Sequence, residues 1–226
     1  MAVTDFYIPK RLRLQLGLST YSFPWAIGVS GYKPSNPLSA THLLQYAHAR
    51  DIRYVQFGDN MPLHTFSQDQ LKQLKEAADS FNINIEVGTR RLSIENMLLY
   101  LAIAQKFISP FLRVVIDDEE FHPNEKEVIE TIKTLLPHFQ KAGVCIAIEN
   151  HDRFPATTFQ RIIDQTDPLL VGVCLDTANS LGANEGVSEV LQVLAPYTVN
   201  LHIKDITINR FSHKMGFTVD GCAAGK

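Results

Sequence analysis

The amino-acid sequence predicts an α/β protein of the (β/α)8 (TIM) barrel type, a single domain over residues 1–226 with seven units visible and the eighth missing from the C-terminus. Seven short apolar runs recur at a spacing near 30 residues, the size of one β/α unit, and helical periodicity fills the segments between them. An open doubly wound sheet is the alternative, but it requires a Gly-rich phosphate turn after the first strand. No such turn follows the first run, so the barrel is favoured.

The apolar runs predict parallel strands, because they are apolar on both faces and each is followed by a helical pattern. Their first residues are separated by 26 to 40 positions, with no linker or change of composition between them. The predicted strands are 12–17, 52–57, 83–87, 112–116, 144–148, 170–175 and 199–203.

The segments between the runs carry helix signals of differing strength. After the second run, Ser67 and Gln70 form a capping box ahead of an apolar stripe, which predicts a helix to residue 81. The segment 123–139 places acidic residues in its first turn and apolar residues on one face. Weaker stripes predict helices over 94–104, 159–163 and 187–194.

The C-terminal segment departs from this repeat. A complete barrel has eight units and typically about 250 residues, whereas the polar, glycine-containing segment after residue 208 predicts a loop. We therefore expect either that the native polypeptide continues past Lys226 or that this barrel lacks its last unit.

Composition narrows the classes of function. A formal net charge of −3 gives no general basic surface for nucleic acid, and the apolar runs are too short to cross a bilayer, so neither partner is expected. The N-terminus lacks the apolar region of a signal peptide, and three widely spaced cysteines make neither a disulfide framework nor a CxxC metal site. Cys145 and Cys174 lie in apolar runs and are expected to be small core residues. These features predict a cytoplasmic protein.

Polar residues stand at the ends of three successive predicted strands. Glu149 follows the fifth run, Asp176 the sixth, and His202 lies in the seventh, at separations of 27 and 26 residues. The carboxyl ends of parallel strands meet at one edge, where barrel active sites are built. Two carboxylates and an imidazole suit Mn²⁺, Mg²⁺, Co²⁺ or Zn²⁺ without preference among them. Each residue alone could equally cap a helix or form a salt bridge, but the ordered set predicts a divalent metal site.

The strand ends IAIEN, CLDTAN and LHIKD resemble those of the xylose-isomerase-like barrel superfamily of sugar and sugar-phosphate isomerases and epimerases. The resemblance implies a (β/α)8 barrel whose divalent metal is held by a Glu, an Asp, a His and a second Glu after strands five to eight. The first three would be Glu149, Asp176 and His202. The fourth has no candidate, because no acidic residue follows Asp220. Members are often oligomers, so a homo-oligomer is left open.

The implied reaction is isomerisation or epimerisation of a sugar or sugar phosphate through an enediolate. A divalent ion stabilises the developing negative charge, and Glu149 is the expected acid/base residue. Three alternatives are kept: a lyase or dehydratase acting on a polyol or hydroxy acid, a hydrolase of the kind that cuts DNA at abasic sites, and a non-catalytic barrel.

Four further residues are candidates for substrate binding. His151 directly follows the fifth strand, Asn179 lies three residues beyond Asp176, and Lys204 shares a strand face with His202. Trp25 stands in the long connection 23–39, which is expected either to cover the barrel mouth or to be a surface loop. The alternatives are a loop role for His151 and a helix cap for Asn179. Rim ion pairs of little energetic weight are expected for a further polar set: Gln56, Asp59, Glu86, Arg90, Asp117 and Asp118.

Overall fold

The computed structural model describes residues 15–225, and its central feature is a seven-stranded parallel sheet with strands in sequential order. Six of the predicted strands coincide with observed ones to within three residues, which confirms the repeat. The strands are β1 (Gly17–Ser19), β2 (Tyr54–Phe57), β3 (Asn84–Arg90), β4 (Phe111–Val115), β5 (Cys145–Glu149), β6 (Val171–Asp176) and β7 (Thr198–His202).

The first strand differs most from its prediction. Residues 12–14 of the predicted run lie outside the described residues, and β1 begins only at Gly17. A Cβ at Gly17 would lie 3.2 Å from the Cβ of Tyr54 on β2, so glycine permits a close approach of the two strands.

Helices follow the strands at the predicted places. The capping box is confirmed, because the Ser67 side chain accepts from the Gln70 amide and the Gln70 side chain accepts from the Ser67 amide. The helices are α1 (Pro24–Ile27), α2 (Ala40–His48), α3 (Gln68–Phe81), α4 (Ile94–Phe107), α5 (Glu125–Ala142), α6 (Ala156–Asp164) and α7 (Val187–Leu194).

The sheet curls into a half-barrel that has β1 and β7 at its two edges, as expected of a TIM barrel without its eighth unit. Its main apolar core lies between the outer face of the sheet and the helices. The inner face carries a smaller cluster of Phe111, Ala147 and Cys174, beside buried polar side chains. The inner face of the sheet therefore carries polar groups that the main core lacks.

The C-terminal segment is not the loop that the sequence predicts. It forms an antiparallel hairpin of β8 (Asp205–Arg210) and β9 (Phe217–Cys222), with Ile208 opposite Val219. Apolar residues alternate with polar ones in both halves, which is the period of a strand. The polar composition of the segment concealed that alternation.

The long connection after β1 is ordered by α1 and by an antiparallel bridge between Val29 and Tyr32. No helix of residues 15–225 has the length and apolar character that a membrane crossing requires.

Candidate metal and substrate site

The structure brings the three predicted ligands together at the carboxyl ends of β5, β6 and β7. His202 Nδ1 lies 3.3 Å from Glu149 Oε2 and 3.8 Å from Asp176 Oδ2. Both carboxylates are buried, and Asp176 pairs with His202 in the β6–β7 register. We call Glu149, Asp176 and His202 the ligand cluster.

The two oxygens of Asp176 have different surroundings. Oδ1 accepts hydrogen bonds from the backbone amides of Ala178 at 2.9 Å and Asn179 at 3.1 Å. Oδ2 is buried and accepts no hydrogen bond from the described residues. Lys204 Nζ lies 2.8 Å from Oδ2, but its approach is outside hydrogen-bond geometry, so this contact is one of charge. A buried carboxylate oxygen without a hydrogen bond is costly unless a cation faces it.

Glu149 is held on both oxygens. Oε2 accepts from Arg113 Nε at 2.5 Å, and Oε1 accepts from Asn179 Nδ2 at 2.9 Å. Burial alone would raise the pKa of Glu149, but the Arg113 charge, together with hydrogen bonds from His202 and Arg113, holds that pKa well below its ordinary value. Glu149 is therefore an ionised, fixed carboxylate.

Arg113 is a site residue that the sequence analysis missed. It lies on β4 with its side chain 4% exposed, and its Nη1 contacts Asp59 Oδ1 at 3.0 Å. A Cβ at Gly88 would lie 3.1 Å from Arg113 Cδ, so the neighbouring glycine makes room for this side chain. A lone charge between Leu112 and Val114 was an available signal, because strand alternation places it on the opposite face from these apolar neighbours.

Gln56 and Glu86 correct the expectation of rim ion pairs, because both join a hydrogen-bond network with His202 and Asn200. Gln56 Nε2 donates to Glu86 Oε2 and to Asn200 Oδ1, both at 3.1 Å. These two acceptors fix the amide orientation, so Gln56 Oε1 accepts from His202 Nε2 at 2.7 Å. Burial raises the pKa of Glu86. The sequence places these residues at strand ends, but it does not show that the sheet brings β7 within reach of β2 and β3.

This network determines which nitrogen of His202 faces the carboxylates. Because Nε2 donates to Gln56, Nδ1 is the nitrogen that faces Glu149 and Asp176: it donates to Glu149 when it carries a proton, and it offers a lone pair when it does not. With Nδ1 deprotonated, this place offers two carboxylate oxygens and one imidazole nitrogen. That donor set suits a divalent metal ion.

Cys174 lies against the ligand cluster rather than in the main core. Its Sγ is 3.4 Å from His202 Nε2 and 3.9 Å from Glu149 Oε2, so a Glu149–Cys174–His202 group is a second grouping of metal-ligating atoms. The Cys174 thiol faces His202 Nε2, the nitrogen that is hydrogen-bonded to Gln56. Burial raises the pKa of this thiol well above its ordinary value. A metal ion removes the proton of a thiol that coordinates it, so this pKa does not exclude Cys174 as a ligand. The ligand atoms of Glu149, Cys174 and His202 all lie within 4.8 Å of one another, whereas Asp176 contributes the second carboxylate oxygen that harder divalent ions prefer.

The four predicted substrate residues divide into two pairs. Asn179 and Lys204 reach the ligand cluster, and Lys204 Nζ also donates to Asn179 Oδ1 at 2.9 Å. His151 Nδ1 instead faces Asp152 Oδ2 at 2.9 Å, and Trp25, 67% exposed, packs edge-on against Tyr32. Within residues 15–225, no hydrogen bond or ion pair joins His151 or Trp25 to the cluster.

A cavity of about 630 Å³ opens beside Asp59. Arg90 Nε contacts Asp59 Oδ2 at 3.0 Å, which confirms an ion pair there, and the Tyr21 hydroxyl donates to the same oxygen at 2.8 Å. Burial, followed by the charge of Asp59, raises the pKa of Tyr21 to about 12. The volume is in the range of small-molecule sites. Its lining is polar: Tyr21, Asp59, Arg90, Arg91, Asp118, Glu119 and Glu120.

A curled sheet of parallel strands in sequential order, with helices after the strands, is the architecture of the TIM-barrel class. Members of this class carry their active sites at the carboxyl ends of the strands, where the polar groups of this protein gather. A family model described as xylose isomerase-like TIM barrel matches residues 44–223, and the chain belongs to this family.

Similarity to individual proteins agrees with the family. The chain is 28% identical over 212 residues to the 3-oxo-isoapionate decarboxylase of Pectobacterium atrosepticum, covering 94% of this chain and 76% of that enzyme. Its fold is similar to that of D-psicose 3-epimerase from Clostridium cellulolyticum H10, with a TM-score of 0.68, 15% identity, and coverage of 84% and 72%. A probable 3-DHS dehydratase from Bacillus anthracis gives a TM-score of 0.66 at 14% identity, with coverage of 86% and 74%.

Proposed function

We propose that this protein is a divalent-metal-dependent enzyme that isomerises or epimerises a sugar or sugar phosphate through an enediolate. The observation that carries the proposal is the ligand cluster, in which His202 Nδ1 lies 3.3 Å from Glu149 Oε2 and 3.8 Å from the buried Asp176 Oδ2, an oxygen that accepts no hydrogen bond from the described residues. Family members named as an epimerase, a dehydratase and a decarboxylase support sugar-like carbonyl substrates.

Glu149, Asp176 and His202 would hold the ion, which when bound supplies Lewis-acid stabilisation of the charge that develops on substrate oxygens. Asn179 and Arg113 fix the Glu149 carboxylate, so its geometry is set before substrate arrives. Lys204, at the half-exposed end of the site, offers a cation to a phosphate or carboxylate of the substrate. The open polar cavity beside Asp59 is lined by none of the three cluster residues, so it is not used to place the substrate.

A lyase reaction, decarboxylation in particular, is the second candidate. Proton removal from carbon needs a carboxylate oxygen that is free to accept it, whereas both oxygens of Glu149 already accept hydrogen bonds. Loss of carbon dioxide from a 3-oxo acid needs charge stabilisation but no base in the bond-breaking step. The similarity to a decarboxylase over 94% of the chain favours the same alternative.

Two measurements on protein reconstituted with Mn²⁺, Mg²⁺, Co²⁺ or Zn²⁺ separate these reactions. Incorporation of solvent deuterium into sugars or sugar phosphates supports isomerisation or epimerisation, whereas release of carbon dioxide from 3-oxo sugar acids supports decarboxylation. Glu149→Gln should remove the activity, and His151→Gln, outside the cluster, should retain most of it. Absence of both reactions with every metal would contradict the proposal.

We also propose a cytoplasmic location and a small-molecule partner rather than nucleic acid, on the grounds of composition, and we leave a homo-oligomeric state open. A net charge of −3 continues to disfavour the abasic-site nuclease alternative, which needs a basic face for phosphate.

A further inference from the structure

The Lys204 ammonium occupies a specific place in the ligand cluster. It stands 2.8 Å from Asp176 Oδ2, the same oxygen that lies 3.8 Å from His202 Nδ1. Among residues 15–225, no hydrogen bond reaches this buried oxygen, so Lys204 supplies its nearest positive charge. The side chain is 49% exposed, whereas Asp176 is fully buried.

The backbone of Lys204 is fixed, but its ammonium group is held weakly enough to move away from Asp176. Its backbone is fixed, because Lys204 N donates to Thr177 Oγ1 at 2.8 Å and its carbonyl accepts from that hydroxyl at 2.7 Å. Its ammonium is held by the Asn179 side-chain oxygen at 2.9 Å and by the charge contact alone. A long, flexible, half-exposed side chain can move its head group into water at little cost.

We propose that Lys204 and the divalent ion compete for Asp176 Oδ2, so that metal binding displaces the Lys204 ammonium. This inference rests on the proposed function, because it takes the ligand cluster as the metal site. An ion bound to Asp176 Oδ2 and His202 Nδ1 would face the ammonium at a distance where repulsion between a dication and a cation is strong. Lys204 thereby lowers the metal affinity of the site and keeps Asp176 neutralised in the metal-free protein.

Arg113 does not have this property, although it also faces a carboxylate of the cluster. Its side chain is 4% exposed and is tied to Glu149, Asp59 and the carbonyl oxygen of Thr89. It has no route to water comparable to that of Lys204. Arg113 is a fixed charge of the site, and Lys204 is the exchangeable one.

The test is a Mn²⁺ titration of the metal-stripped protein, with free Mn²⁺ followed by electron paramagnetic resonance. Lys204→Met should bind Mn²⁺ about two- to fivefold more tightly than the parent, the size expected for removing one partly exposed competing charge. Lys204→Arg keeps the cation and should bind as the parent does. Lys126→Met, whose side chain is 85% exposed on α5, is the matched control and should change nothing.

The same comparison in a protein that carries Asp176→Asn tests whether Lys204 acts through the Asp176 carboxylate. In Asp176→Asn, Lys204→Met should no longer tighten Mn²⁺ binding, because the competition acts through that carboxylate. Circular dichroism and the unfolding midpoint check that each variant is folded.

Each outcome decides between the claims. If the parent binds Mn²⁺ and Lys204→Met binds it equally or more weakly, the exchange is overturned while the proposed metal site stands. If Lys204→Met binds Mn²⁺ and the parent does not, the exchange is supported. If neither protein binds Mn²⁺, both the exchange and the metal-dependent function are overturned.

Discussion

Each side chain of the ligand cluster is held by a neighbour that determines which of its atoms faces the others. Gln56 fixes the imidazole of His202, and Asn179 fixes one oxygen of Glu149. Such outer partners orient metal ligands and contribute to affinity without touching the ion. The chemistry of the site thus depends on neutral amides as much as on the charged residues.

Replacing Gln56 tests this dependence. Gln56→Leu removes the acceptor of His202 Nε2 and frees the imidazole to rotate, so we expect Mn²⁺ affinity to fall about 10- to 100-fold. Gln73→Leu, at an exposed position of α3, is the control for adding an apolar side chain. Unchanged affinity in Gln56→Leu, measured by the same titration, would show that His202 does not need this anchor.

Asp59, beside the polar cavity, makes a pH-dependent contribution to the folding stability. Burial alone would raise the pKa of Asp59, but Arg113, the Tyr21 hydroxyl and Arg90 together lower it below its ordinary value. A lowered folded-state pKa contributes stability above the unfolded value, about 3.9, and that stability is lost as the pH falls through the folded-state pKa.

Asp59→Asn should therefore be less stable than the parent by about 1–3 kcal/mol at pH 7. The difference should shrink as the pH falls below about 4, because the Asp59 carboxylate of the unfolded chain then binds a proton while that of the folded protein, with its lower pKa, is still ionised. Urea unfolding at pH 7, 5 and 3.5 measures both effects. A difference that is constant with pH would assign the loss to packing rather than to charge.

At the scale of elements, glycine on β6 allows β7 to approach. The β6–β7 register shifts between Val173 and Cys174, and a Cβ at Gly172 would lie 2.6 Å from Val199 Cγ1 and 2.8 Å from the carbonyl oxygen of Tyr197. The second atom is backbone and cannot move without moving β7. Because β7 carries His202, the fit of these two strands positions the cluster.

Gly172→Ala should accordingly destabilise the protein by about 1–3 kcal/mol through overpacking and weaken Mn²⁺ binding. Gly221→Ala is the matched control, because no atom lies within 4 Å of its added Cβ and its φ is not positive. Urea unfolding and the Mn²⁺ titration give the two readouts. Equal stability of both variants would show that β7 shifts freely.

The strongly periodic helices and strands, and the strand ends that carry the three cluster residues, could be predicted from the sequence. The contacts that side chains make between strands could not. The step of about 30 residues and the Ser67 capping box are local signals, and both were confirmed. Arg113 meets Glu149 across the paired strands β4 and β5, at a register that the sequence does not state, and Gln56 meets His202 only because the sheet curls and brings β2 near β7. The hairpin of β8 and β9 was missed because polar composition outweighed its alternation.

At the scale of the whole molecule, the edge strand β7 leaves an apolar strip uncovered. Val199, Leu201 and Ile203 are 46%, 37% and 61% exposed, and no helix of the described residues follows them. An edge strand with exposed apolar residues is a site at which chains associate.

Ile203→Lys should therefore reduce self-association of the 226-residue chain at high concentration, because a charge on this strip opposes pairing of edges. Leu169→Lys is the matched control: Leu169 is 95% exposed but precedes β6, away from the sheet edge, so its replacement should leave association unchanged. Light scattering and sedimentation across a concentration series compare the three proteins. If Leu169→Lys reduces association as much as Ile203→Lys, general surface charge rather than the β7 edge is responsible.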